Sequence, residues 1–192
     1  MEQNWEQFKS ETKKQLSTYL EFSEIGEGKA KHIILDTFDK IHNHVLDVIA
    51  TLRIINTSKN QREIAVASLL AFLWEFEGSY VTGIDAFCYL LVENGHDLFD
   101  IIHHKYAKSF EDIENVNVST KLQFLDEHNF VIFRRREDKT LRNKIAHHDF
   151  VIEKSGKVLI NSQVVDISLR FKELHSFTSR VFEIFCSSLD EC

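Results

Sequence analysis

The sequence of 192 residues contains no proline and only six glycines. Proline breaks helices and glycine weakens them, so their scarcity permits long uninterrupted helices. The three cysteines, Cys88, Cys186 and Cys192, are too few and too scattered for a disulfide scaffold, and no CxxC pair suggests zinc or redox chemistry. We therefore expect a fold that needs no disulfide, no metal and no cofactor.

Long apolar segments are also missing. The longest nearly unbroken apolar run, residues 64–74, falls short of the roughly 20 residues that a membrane span needs. The N-terminal residues 1–6 are polar and acidic, without the apolar core of a signal peptide. We predict a cytoplasmic protein with no membrane partner.

Basic residues are fewer than acidic ones, and the formal net charge is −7. That charge argues against a protein that coats nucleic acid through broad basic surfaces, so any nucleic-acid function must use a local basic patch. Hydrophobic residues make up 43% of the chain and charged residues 28%, which are values typical of globular proteins. The length suits one well-cored domain. We predict a single domain over residues 1–192.

What the chain does contain is apolar residues repeating at helical spacing. The repeat predicts long helices over about residues 2–22, 29–55, 61–93 and 166–189, and short ones over 97–106, 119–128 and 137–147. Residues 111–118 are expected to form a loop. Two β-branched runs, 150–152 and 158–160, flank a glycine-bearing turn and predict a hairpin. The predicted class is all-α, a helical bundle of long antiparallel helices with a small β-hairpin before the last helix.

The most informative stretch is residues 134–148. Asp138 is placed to cap a short helix. Asn143 and His147 stand four apart, so the amide can hydrogen-bond the imidazole and fix its tautomer. Arg142 and His147 stand five apart, which separates them by roughly 140° on an ideal helix. That separation is awkward for two groups acting on one phosphate, unless the helix ends near His147 or a second subunit supplies its own copy. The spacing therefore favours a dimeric site.

Positive charge concentrates in the same stretch, where six basic residues lie within eleven: Arg134, Arg135, Arg136, Lys139, Arg142 and Lys144. They are candidates for a phosphate-steering patch, and the alternative is a solvated face diluted by Glu137 and Asp138. His148 is a candidate to assist His147, or else a passive surface histidine. Glu77 and Asp85 stand eight apart on the central helix, and one of them is expected to support the arginine; otherwise both are boundary residues.

The pattern Arg142-Asn143-x-x-x-His147 resembles the Rx4–6H signature of the HEPN superfamily, in which a polar residue, often Asn, follows the arginine. The setting is also similar, with a helical bundle, a motif at the end of a late helix, a hairpin-like connection and a final long helix. The resemblance implies a metal-independent endoribonuclease, usually a homodimer with both motifs lining one cleft. The alternative for Arg142 and His147 is an ordinary exposed helix end.

Carried over by position, the resemblance makes His147 the general acid/base for attack of the ribose 2′-OH on its phosphate, leaving a 2′,3′-cyclic phosphate. Arg142 would bind the phosphate and stabilise its growing charge, and Asn143 would orient His147 or the RNA. An antitoxin or a defence-system protein is the implied partner. Some HEPN toxins carry a modified tyrosine two positions beyond the histidine, where this chain has Asp149. Other HEPN members imply the alternative function, a non-catalytic module that binds nucleotide or a protein partner through the same cleft.

Overall fold

The computed structural model describes residues 2–23, 29–134 and 138–190. Over these residues the chain is mostly helical (71%) with two small sheets, which confirms the mainly-α class. In chain order the helices are α1 (Glu2–Ser23), α2 (Lys29–Thr57), α3 (Gln61–Trp74), a π-helical segment (Glu75–Val81), α4 (Thr82–Glu93), α5 (Phe110–Asn115), α6 (Val118–Glu127), α7 (Lys139–Ala146) and α8 (Ile167–Asp190). The strands are β1 (Phe99–Asp100), β2 (Lys105–Tyr106), β3 (Val151–Ile152), β4 (Val158–Ile160) and β5 (Gln163–Val165).

The chain divides into two compact units. The motif unit comprises residues 40–80 and 138–178, and it contains the pattern from Arg142 to His147. The acidic unit comprises residues 1–39, 81–137 and 179–192. The single domain expected over residues 1–192 stays a prediction.

Aromatic rings fill the core of the motif unit. Phe76 packs between Phe72 and Tyr80, with ring centroids 6.2 and 5.1 Å away, and Tyr80 reaches Phe177 of α8. All four rings are buried. Each large ring removes apolar area from water and restricts its neighbours, so α8 is tied to the helix that carries α3 and the π-helical segment.

Gly78 lets α2 approach the π-helical segment. A Cβ atom at this position would lie 2.3 Å from Cγ of His44, far inside van der Waals contact. Residue 78 therefore has to be glycine for the imidazole to lie against the backbone, and the contact sets the alignment of α2 with the helix that follows it.

The small sheet of the motif unit is an antiparallel meander in the order β3-β4-β5. Val151 pairs with Leu159, which pairs with Val164. Gly156, in the turn between β3 and β4, has a φ of +82° and lies against Gln61 at the start of α3. The two runs of the predicted hairpin thus lie in β3 and β4, and β5 is a third strand that the sequence analysis did not predict.

The acidic unit has a phenylalanine core of its own. The rings of Phe8, Phe130, Phe133 and Phe185 lie with centroids 5.2–5.5 Å from that of Phe87. These five side chains are at most 2% exposed. Phe87 lies on α4, so this helix is the centre of the unit.

Two short elements of the acidic unit differ from prediction. Residues 97–106 form the β1–β2 hairpin rather than a helix, because the Asp100 carboxylate accepts from the backbone N–H groups of Ile102 and His103 and stabilises a turn. Residues 110–115 form α5 rather than a loop, because Ser109 caps the helix by accepting from the N–H of Asp112.

Among the residues that the structure describes, one helix, Gln61–Glu93, is long and apolar enough to cross a membrane by length and composition. Its most apolar window is 61% buried within the protein, as expected for the core helix of a soluble protein. The apolar run of residues 64–74 is thus only part of a longer apolar helix. The cytoplasmic location stays a prediction.

Candidate functional site

Helix α7 begins at the predicted cap. The Asp138 carboxylate accepts from the backbone N–H of Leu141 at 3.2 Å, which confirms Asp138 as the capping residue. Leu141 and Ile145 are buried, at 7% and 3% exposure, and they hold one face of α7 in the core. Arg142 and Asn143 are half-buried beside that face. A helix of two turns is thus held by its apolar side, with its polar residues at the rim.

The end of α7 is set by a Schellman motif. The N–H of His148 donates to the carbonyl of Ile145 at 3.0 Å, and the N–H of Asp149 donates to the carbonyl of Lys144 at 2.8 Å. His148 has a φ of +57°, in the left-handed region that glycine usually occupies. The helix therefore ends at Ala146 with His147 as its C-cap, and the N–H of His147 still donates to the carbonyl of Asn143 at 3.0 Å.

Arg142 is held from two sides. Its Nε donates to Oε1 of Glu77 in the π-helical segment, and its Nη1 donates to Oδ1 of Asn143 at 2.9 Å. The Arg142 side chain keeps 34% of its surface exposed. A partly exposed ion pair contributes little to stability, so its main effect is to orient the guanidinium.

His147 has an exposed side chain and, within the part of the chain that the structure describes, its imidazole contacts no hydrogen-bonding or charged partner. The hydrogen bond between Asn143 and His147 that the spacing allows is not among the described contacts. The amide oxygen instead accepts from the guanidinium of Arg142, since a charged donor on the neighbouring residue makes the stronger hydrogen bond.

The other basic candidates are distributed over both units. Lys139 and Lys144 belong to the motif unit, where Lys144 pairs with Asp149. Arg134 belongs to the acidic unit, where it pairs with Asp126. Arg135 and Arg136 lie outside the described residues. His148 is exposed, and its ring stacks on that of Phe150 at 6.2 Å.

Of the two candidate supporting acids, Glu77 is the one that contacts Arg142. Asp85 lies in the acidic unit, where it is 5% exposed and accepts from Nζ of the buried Lys121 at 2.5 Å. The spacing of eight residues predicts a shared face only for a regular α-helix. The intervening π-helical turns add a residue per turn and change the phase by roughly 100° for each one added. Whether either acid takes part in chemistry stays a prediction.

The same π-helical segment contains a buried acid that was not predicted from the sequence. Glu75 is 1% exposed, and its carboxylate accepts from Oγ1 of Thr178 and lies 3.0 Å from Nδ1 of His175. The hydrogen bond between His175 and Glu75 raises the pKa of His175, whereas burial acts in the opposite direction. No local pattern links positions 75 and 175, so only the packing of α8 on this segment brings them together. Two acids of one π-helical segment thus bind two different helices, α7 and α8.

Charge is segregated between the units. By sequence, the motif unit has eleven Lys and Arg against nine Asp and Glu, a formal charge of +2. The acidic unit has twelve against twenty-one, a formal charge of −9. The overall charge of −7 therefore comes from the unit without the motif.

Within the described residues, no group of three or more His, Cys, Asp or Glu side chains is arranged to hold a metal ion. Comparison of the chain with protein family models, curated proteins and solved structures finds no match. The likeness to the HEPN superfamily therefore depends on the motif from Arg142 to His147 and on its setting.

Proposed function

We propose that this chain is a metal-independent endoribonuclease of HEPN type that leaves a 2′,3′-cyclic phosphate. One observation carries the proposal. Arg142 is oriented by Glu77 and Asn143, and His147 is exposed at the C-cap that ends the same short helix. An oriented guanidinium and an accessible imidazole are the two groups that the reaction requires.

The guanidinium of Arg142 keeps donors for a phosphate. Arginine has five N–H donors, of which the contacts to Glu77 and Asn143 use two among the described residues. The remaining donors can bind phosphate oxygens while Glu77 holds Nε. His147 would remove the proton of the ribose 2′-OH and return a proton to the leaving 5′ oxygen.

The charge distribution supports RNA as the substrate. Phosphate steering requires a local field rather than a basic protein, and the motif unit carries +2 where the other unit carries −9. Lys139 and Lys144 are the proposed RNA-backbone contacts of the motif unit. Arg134, Arg135 and Arg136 stay candidates from the sequence alone. We propose His148 as an assistant to His147.

The assembly is part of the same proposal. The helices would pack as one bundle of long antiparallel helices with a small β-hairpin before α8, and two chains would bring both motifs to one cleft. The partner would be an antitoxin or a defence-system protein, in the cytoplasm. The support is the sequence separation of Arg142 and His147, which a second copy of the motif would compensate.

The alternative is a non-catalytic module that binds nucleotide or a protein partner through the same cleft. One observation favours it, namely that Arg142 already has a carboxylate partner in Glu77. The guanidinium of Arg142 can bind an anion that replaces the Glu77 carboxylate as its partner. Binding alone does not require a free imidazole.

The test is cleavage of a mixed RNA pool in EDTA by the native chain, Arg142→Ala and His147→Ala. Arg170→Ala is the matched control, because Arg170 is a surface arginine of the motif unit that also pairs with a carboxylate, Glu173. We expect cleavage by the native chain and the control, and loss of at least a hundredfold in the other two. Equal cleavage by all four proteins would refute the assigned site. RNA binding without cleavage would favour the alternative.

A further inference from the structure

The β1–β2 hairpin concentrates exposed apolar side chains. In the described part of the acidic unit, every large apolar side chain that is exposed lies in this hairpin: Phe99 (39%), Ile101 (60%), Ile102 (62%) and Tyr106 (52%). Single exposed apolar residues are normal on a protein surface, whereas a contiguous group of them marks an interaction site. We propose that this hairpin binds a cationic amphipathic helix of a partner protein.

The four side chains form one patch because the chain itself joins them. Phe99 and Tyr106 are paired across the two strands, and their rings meet edge to face with centroids 5.1 Å apart. Ile101 stands two residues beyond Phe99 and Ile102 follows directly, so their Cα atoms lie within about 10 Å of that of Phe99. Together the four expose on the order of 400 Å², which is the size of the largest apolar patch on many monomers and is often functional.

A buried carboxylate holds the turn of this hairpin. Asp100 is 2% exposed, and its Oδ1 accepts from the backbone N–H groups of Ile102 at 2.9 Å and of His103 at 3.3 Å. Its Oδ2 lies 2.5 Å from Nδ1 of His103. At the base of the hairpin, the N–H of the buried Ala107 donates to the carbonyl of the buried Leu98 at 2.9 Å. A surface that is ordered before binding loses little conformational entropy when a partner docks.

The turn itself does not require isoleucine. Asp100 contacts the backbone N–H groups of residues 102 and 103, which any residue except proline would provide. Turns favour glycine, proline, asparagine, aspartate and serine. Local structure therefore does not explain why Ile101 and Ile102 stand side by side in water, and binding of a partner does.

Acidic residues border the patch. Residues 97–115 include the hairpin and α5, and they contain five acidic residues against two lysines, a formal charge of −3. Lys105 of β2 is paired with Asp112 of α5, so its charge is already neutralised. Glu111 of α5 and Asp97, two residues before β1, are exposed. The patch is thus apolar in its middle and negative at its edge.

This combination of apolar centre and acidic edge selects the partner. An anionic membrane, a nucleic acid or an acidic protein would meet like charge at the edge. The patch is about 10 Å across, which is the width of one α-helix. A helix with an apolar stripe can cover the four side chains, while lysines or arginines beside the stripe extend to Glu111 and Asp97.

The inference goes beyond the proposed ribonuclease and does not depend on it. The hairpin and α5 belong to the acidic unit, whereas Arg142 and His147 belong to the motif unit. Binding at the hairpin is measured without RNA, so its failure and a failure of cleavage are separate results.

The experiment measures binding of labelled synthetic helices to the full chain by fluorescence anisotropy. One peptide has a leucine stripe flanked by lysines, and its counterpart has the same stripe flanked by glutamates. Ile101→Ser combined with Ile102→Ser removes the centre of the patch. The matched control is Val151→Ser combined with Val164→Ser, because these positions of the motif unit are equally exposed, at 61% and 62%. Circular dichroism checks that both double variants keep the native helix content.

We expect the native chain and the valine control to bind the lysine peptide with a micromolar Kd. The double isoleucine variant should bind it at least about tenfold more weakly. The native chain should bind the glutamate peptide at least about tenfold more weakly than the lysine peptide, and Glu111→Gln should weaken binding of the lysine peptide roughly twofold.

Absence of binding of the lysine peptide would overturn the proposal, as would an equal loss in the isoleucine and valine variants or equal binding of the two peptides. Binding of phosphatidylcholine–phosphatidylserine vesicles that requires Ile101 and Ile102 would also overturn it and assign the hairpin to a membrane. A native dimer that dissociates in the double isoleucine variant, measured by light scattering, would overturn it and assign the hairpin to a second copy of the chain.

Discussion

Replacing His148 by glycine should stabilise the protein, although it removes a side chain. His148 is held at a φ of +57°, and the left-handed region costs an L-residue roughly 1–2 kcal/mol. Glycine removes that cost. Its greater conformational freedom in the unfolded chain and the loss of stacking on Phe150 destabilise the folded state by about half as much. The expected net increase in the free energy of unfolding is roughly 0.5–1 kcal/mol.

His147→Gly is the matched control, because the preceding residue has a φ of −90° and gains nothing from glycine. It should lose roughly 0.5–1 kcal/mol through the unfolded state alone. Urea denaturation of the three proteins, with equal m-values, measures both changes. A result in which both variants lose the same stability would refute the Schellman end of α7, and with it the position assigned to His147.

Two further predictions concern buried charge. Asp85→Ala should destabilise the chain by about 3–5 kcal/mol because Lys121 would be left buried without its partner, whereas Asp85→Leu combined with Lys121→Met should recover most of the loss, as measured by thermal or urea unfolding. The pKa of His175 is raised in the folded state by its hydrogen bond to Glu75. The stabilisation from this pair should therefore be complete below the ordinary histidine pKa of about 6.5 and should disappear as pH rises through the raised pKa. Urea titrations of the native chain and His175→Gln across that range should therefore converge towards alkaline pH, and a constant difference would contradict the assignment.

The long helices could be predicted from the sequence because their hydrogen bonds join residues that are close along the chain. The absence of proline and the apolar repeat predict the long helices to within a few residues, including α2, the continuous helix Gln61–Glu93 and α8. The cap at Asp138 was predictable because the first backbone N–H groups of a helix have no partner within the helix. A carboxylate three residues earlier can accept from one of them, as Asp138 does from Leu141. The predictions of short elements were wrong where side-chain hydrogen bonds determine the local structure. At Asp100 such hydrogen bonds stabilise a turn, and a segment with a helical pattern forms a hairpin.

The candidate site was predictable only as a list of residues. The motif predicted Arg142 and His147 as site residues. The partner of the Arg142 guanidinium, Glu77, lies in a π-helical segment, and no residue pattern in the sequence predicts that segment. The prediction for Glu77 and Asp85 assumed a regular helix, whereas residues 75–81 are π-helical. The pairing of Glu75 with His175 joins positions a hundred residues apart, and it follows from the packing of α8.

The measurement that most directly tests the central claim is cleavage of one RNA oligonucleotide in EDTA, compared with the same oligonucleotide carrying a single 2′-deoxy substitution at the cleaved position. If Arg142 and His147 act on the 2′-OH, the native chain leaves a 2′,3′-cyclic phosphate on the all-ribose strand and does not cut the substituted position. Cleavage of the 2′-deoxy strand at the same bond, or an all-ribose product without the cyclic phosphate, would contradict the account.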